Sequence, residues 1–92
     1  MAELIRVLTP KFLPKFKKQY KKLHPTLKQK FTKQLALLLE NPRHPSLKAR
    51  KMSGTEDYEA RLDKHNRFVY GIVDDEIWFY AIGPHDEGLG KK

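Results

Sequence analysis

The sequence predicts an α+β domain in which an N-terminal strand leads into a two-helix hairpin packed on an antiparallel sheet of three to four further strands. Three observations predict it. Two segments between residues 12 and 39 repeat their apolar residues about every 3.6 positions, the period switches to two after Ser46, and 92 residues enclose only one modest core.

In chain order, Glu3 to Leu8 is short, rich in branched residues and ends at Thr9-Pro10, which suits a first strand with Thr9 placed to cap a helix. Phe12, Leu13, Phe16, Tyr20 and Leu23 form one helical stripe. Pro14 falls inside it and removes a helix hydrogen bond, so the regular helix should begin near that residue. His24-Pro25 interrupts the chain. A second stripe, Leu27, Phe31, Leu35, Leu38 and Leu39, runs to the break at Asn41-Pro42. After the loop Arg43 to Ser46, residues Leu47 to Met52 read as extended and Ser53 to Asp57 as a turn. Tyr58, Ala60 and Leu62 alternate with Glu59, Arg61 and Asp63, so the first set should face the core and the second solvent or substrate. Lys64-His65-Asn66 makes the next turn, Arg67 to Val73 a strand, Asp74-Asp75 a tight hairpin turn and Glu76 to Ile82 the returning strand. Tyr58, Tyr70, Trp78, Phe79 and Tyr80 have the rings to stack on bases, but alternation assigns most of them to the core.

The net charge of +8 implies a polyanionic partner, and it is unevenly placed. Residues 1 to 53 hold 14 Lys and Arg against two acids, whereas residues 54 to 92 hold five against nine, so the basic surface belongs to the helical half. Lys17, Lys18, Lys21 and Lys22, with Lys28 and then Lys51, are the candidate RNA or ribosome contacts, set against the plainer reading of a solvated face. The absence of cysteine excludes disulfides, thiolate zinc sites and a cysteine nucleophile. The four histidines are scattered without a helical His-x-x-x-His pair, so neither a metal nor another cofactor is expected. With no long apolar run and no secretory signal pattern, no membrane association and a cytoplasmic location are expected.

Five segments in register carry a resemblance. Leu39-Glu40-Asn41-Pro42-Arg43, Lys51-Met52-Ser53-Gly54, Tyr58-Glu59-Ala60-Arg61-Leu62, Arg67-Phe68-Val69-Tyr70 and Ile82-Gly83-Pro84-His85-Asp86 resemble the RelE/ParE toxins over nearly the whole chain. The resemblance implies the toxin of a type II toxin-antitoxin system, silenced by a cognate antitoxin protein and acting on mRNA at the ribosome. In the RNase branch of that family, basic residues on the sheet and a C-terminal His or Tyr act on the scissile phosphate. Arg61 and Arg67 match basic positions of that branch, His85 matches the Arg or His that follows the last strand, and Glu59 stands where some members carry a second cation. His65 falls near a catalytic acid of a histidine-using branch. Where many relatives have a Tyr or Phe shortly after the His85 position, this chain has Glu87, Gly88 and Leu89.

Metal-independent RNA cleavage needs a base near the 2′-OH, cations around the phosphorane and an acid for the leaving 5′-oxygen. His85 is the leading candidate for acid or base, because a histidine with a pKa near ~6.5 exchanges protons close to neutrality. Arg61 and Arg67 stay protonated and can grip two phosphate oxygens with planar forks. His65 ranks second for proton transfer. Glu59 could take a proton, but a neighbouring Arg61 favours a structural ion pair. Two other functions remain open on the sequence: a ParE-like toxin that binds a protein such as DNA gyrase, and a basic RNA-binding module without toxicity.

Overall fold

A computed structural model describes residues 8 to 42 and 44 to 84, leaving aside the side chain of Ser46. Its elements are β1 (Thr9–Phe12), α1 (Pro14–Lys21), α2 (Pro25–Glu40), a 3-10 turn (Pro45–Leu47), β2 (Arg50–Lys51), β3 (Tyr58–Arg61), β4 (Asn66–Val73) and β5 (Glu76–Pro84). The five strands form one sheet in the order β1-β5-β4-β3-β2. β1 runs parallel to β5, and every other pairing is antiparallel.

The predicted strand Glu3 to Leu8 lies mostly outside the described residues. The strand observed begins at Thr9, which therefore opens β1 instead of capping a helix. Its amide donates to the Asp75 carbonyl at 2.8 Å, and the extended path continues until the Leu13 amide reaches the Phe79 carbonyl at 3.1 Å. Pro10, without an N–H, is tolerated because β1 is an edge strand.

Both helices start at a proline, where the lost donor would have had no intrahelical partner. Extended Leu13 precedes α1 and offers no side-chain cap, whereas His24 Nδ1 accepts the Thr26 amide at 3.1 Å and caps α2. α2 stops at Asn41, which Pro42 forces into an extended conformation (φ −153°, ψ 97°).

The helical stripes meet the sheet face formed by Ala60, Leu62, Phe68, Tyr70, Ile77, Phe79 and Ile82. Phe31 is the hub. Its ring centroid lies 5.4 Å from Phe16, 5.1 Å from Phe68 and 5.4 Å from Phe79, the last two edge-on. Such arrangements add to the free energy of simple area burial. Two helix side chains also bond to strand backbone: Gln19 Oε1 accepts the Ile82 amide at 3.0 Å, and Gln34 Nε2 donates to the Arg61 carbonyl at 2.7 Å. The hairpin thus fixes both the last strand and the end of β3.

Candidate nucleic-acid interface

Because Ala60, Leu62 and Phe68 point at the helices, the pleat sends Arg61 and Arg67 to the opposite, outer face. The β3–β4 register sets the two arginines directly across from each other, and Gly83 of β5 is the next residue in that row. Arg61 is exposed and Arg67 half-buried. Like charges placed opposite each other disfavour the isolated fold and improve a site for an anion.

The turn joining the arginines is rigidly built. Asp63 Oδ1 accepts from the amides of His65 (2.9 Å) and Asn66 (2.8 Å) and from Asn66 Nδ2 (3.0 Å), while the Asn66 carbonyl receives the Leu62 amide at 2.8 Å. Burial raises the Asp63 pKa, but these hydrogen bonds, with Lys30 nearby, outweigh it and leave the carboxyl below its usual value. His65 is exposed on this turn, at the same end of the sheet as the arginine pair. His85 lies outside the described residues, immediately after Pro84.

Glu59 departs from expectation. It shares the outer face with Arg61, but its side chain is 6% exposed and 3.6 Å from Arg50. The structural ion pair expected with Arg61 is made instead with Arg50, which the β2–β3 register places directly opposite. The residue is buried despite its place on the outer face, so simple strand alternation overestimated its exposure. Arg50 is a residue that sequence reasoning missed, since it lies nine positions away and only the ladder connects them.

The middle of this face is apolar. Val69 and Ala81, each 6% exposed, lie under Met52 and Tyr80 and form a cluster separate from the main core. A register shift between the β4 and β5 ladders pairs Tyr70 with Phe79 and Val69 with Ala81, leaving Tyr80 as the extra residue of a bulge. Tyr80 and Ala81 then both face outward, and Phe79 and Ile82 both face the helices. The Tyr80 hydroxyl is hydrogen-bonded to Asp57; burial, the Asp57 charge and this bond together raise the phenol pKa.

The lysines occupy other ground. Lys17, Lys18 and Lys21 are exposed on α1 and Lys22 just after its end, on the side of the sheet away from the arginines. Lys28 is half-buried, with Nζ 5.5 Å from the Tyr20 ring centroid. Lys51, on edge strand β2, pairs with Glu56 at 3.5 Å and is separate from the helical group. Beside the α1 lysines, a cleft of about 290 Å³ is lined by Phe12, Phe16, Tyr20, Phe31 and Leu35, with Lys17 among its walls. Among the described residues, no helix is long and apolar enough to cross a membrane.

No protein-family model matches the sequence, and no curated protein matches it. Solved structures do. The RelE chain of the RelE-RelB complex from Pyrococcus horikoshii superposes with a TM-score of 0.75 at 21% identity, covering 88% of this chain and 98% of that one. The Escherichia coli RelBE toxin-antitoxin complex gives 0.73 at 24% identity, covering 87% and 99%. A YoeB/ParE toxin from Agrobacterium tumefaciens gives 0.78 at 13% identity, covering 85% and 99%. The architecture is therefore the RelE/ParE toxin fold, as the sequence motifs implied.

Proposed function

We propose that this protein is the toxin of a type II toxin-antitoxin system and acts as a metal-independent endoribonuclease on mRNA at the ribosome. The observation that carries the proposal is the Arg61–Arg67 pair, held directly opposite on a sheet face that, among the described residues, no helix covers. The fold supports it, since similar structures are toxins, several solved with RelB or DinJ antitoxins. These neighbours do not favour the alternative in which the same fold only binds a protein such as DNA gyrase.

In the proposed reaction the substrate 2′-oxygen attacks phosphorus, the bond from phosphorus to the 5′-oxygen breaks, and a 2′,3′-cyclic phosphate forms. One proton leaves the 2′-OH and another reaches the departing 5′-oxygen. The Arg61 and Arg67 forks hold the phosphoryl oxygens as negative charge builds. His85, next in the chain after Pro84, is assigned proton transfer, with His65 on the Asp63 turn as the second candidate. Glu59, covered and paired with Arg50, is assigned to hold β2 against β3.

The face opposite is assigned to partners. The α1 lysines suit ribosomal RNA phosphates by counterion release. The apolar cleft beside them fits a segment of the cognate antitoxin that folds on binding. Inducing the wild-type, His85→Ala and Arg67→Ala chains in a bacterial host, with growth followed and new mRNA 5′ ends mapped, tests the reading. Growth arrest with frame-phased cuts, lost in both variants, is expected. Arrest without cuts would point to a protein target, and no arrest would point to a plain binding module.

A further inference from the structure

The apolar patch in the middle of the outer face has no role in the assignments above, yet several features combine to build it. Strand alternation sends Tyr80 outward, the bulge keeps Ala81 on the same face beside it, Val69 and Met52 pack with them, and Asp57 holds the Tyr80 hydroxyl. Bulges characteristically re-aim side chains beside functional sites. Gly71 completes the arrangement. A Cβ there would stand 2.7 Å from Asp57 Oδ1, 2.9 Å from the Tyr80 hydroxyl oxygen and 3.2 Å from Tyr80 Cε2. The tyrosine and the aspartate therefore meet over the strand at a position that only glycine leaves open.

Gly71 lies four residues along β4 from Arg67, roughly 13 Å at about 3.3 Å per residue. An aromatic ring on an apolar floor, a short distance from paired guanidiniums, offers a base a surface to stack on while its phosphates reach the cations. We propose that Tyr80 positions the substrate by stacking a nucleobase near the scissile phosphate, with Asp57 and Gly71 setting the ring's place. This rests on the endoribonuclease reading. A protein segment would need acidic groups facing the arginines and an apolar residue on Tyr80; single-stranded RNA supplies both through its ordinary chemistry of phosphate and flat base.

The test uses the full chain and two readouts. The first is the affinity for a short single-stranded oligoribonucleotide made uncleavable by one 2′-deoxy substitution, measured over a range of salt. The second is the KM and kcat of cleavage on ribosome-bound mRNA. Tyr80→Ala should weaken affinity and raise KM about tenfold, the scale of one base–aromatic stack, with kcat nearly unchanged. Its salt slope should equal that of the wild type, whereas Arg67→Ala should flatten the slope. Tyr80→Phe, which keeps the ring, should restore most of the affinity. Gly71→Ala, which removes no polar group, should fall between them, and it keeps the test open if Tyr80→Ala fails to fold. If the wild type cleaves and Tyr80→Ala keeps its KM and affinity, the proposal is overturned and the endoribonuclease reading stands. Retained RNA affinity with lost antitoxin binding would assign the patch to the protein partner and likewise overturn it. A wild type that neither binds nor cuts RNA removes both.

Discussion

The two faces of the sheet are built by different rules. The helix-side face joins Phe16, Phe31, Phe68, Tyr70 and Phe79 into one aromatic core and leaves its lysines to solvent on the far side of the hairpin. The outer face is held by strand register, and on it a small apolar cluster separates the arginine row from Asp57. The difference teaches where sensitivity should lie. Changes on the first face should be felt as stability, and changes on the second as activity.

The largest expected effect is Phe31→Ala, which removes a buried ring from the core and should cost about 3 to 5 kcal/mol in chemical denaturation. A loss below about 1 kcal/mol would refute the description of the core. Arg67→Ala should lower cleavage about 10²- to 10³-fold, as for loss of one group that stabilises developing charge. Its melting temperature should stay near that of the wild type, and a matching collapse of stability would erase the distinction between the faces.

A pH titration sharpens the same comparison. Burial, with neighbouring Tyr58, pushes the Tyr70 phenol up to about 12. An unfolded tyrosine ionises near ~10, so the unfolded chain releases that proton first. The stabilisation is complete below pH ~10 and is lost as pH rises towards about 12. Equilibrium unfolding should show this decline, and Tyr70→Phe should flatten it. Asp63 acts in the opposite sense. Its lowered pKa gives stability that is present above the usual carboxylate range and is lost as pH falls through the folded value. Asp63→Ala should remove that acid dependence and loosen the turn between the arginines.

The smallest expected effect on the isolated protein comes from reversing Lys17, Lys18, Lys21 and Lys22 to Glu. Stability should barely change, while co-sedimentation with ribosomes should weaken and lose salt dependence. Unchanged sedimentation would leave these lysines as a solvated face.

How much of this was legible in the sequence follows from the range of the forces involved. The helical stripes were readable because Phe16, Tyr20, Phe31 and Leu38 repeat at the helix period and Pro14, Pro25 and Pro42 punctuate them. The alternation of Ala60 and Leu62 against Arg61 was readable for the same local reason. Thr9 misled, because a Thr-Pro pair is also a helix-start signal and the parallel partner that makes it a strand lies about 67 residues away in β5. Glu59 was half legible: its face was right, but its pairing with Arg50 depends on the β2–β3 ladder. The bulge at Tyr80 left no local mark, since it arises from the match between two strands. The arginine pair was found through the family motifs and strand alternation, and its direct opposition emerged only from register.

The most direct test of the central claim adds purified protein to ribosomes programmed with a defined mRNA and maps the resulting 5′ ends for the wild type, Arg61→Ala and Arg67→Ala. The account predicts cuts by the wild type in the ribosome-bound message without added metal, and loss of those cuts in both variants with the fold retained. A wild type that cuts nothing, or an Arg67→Ala chain that cuts as well as the wild type, would contradict it.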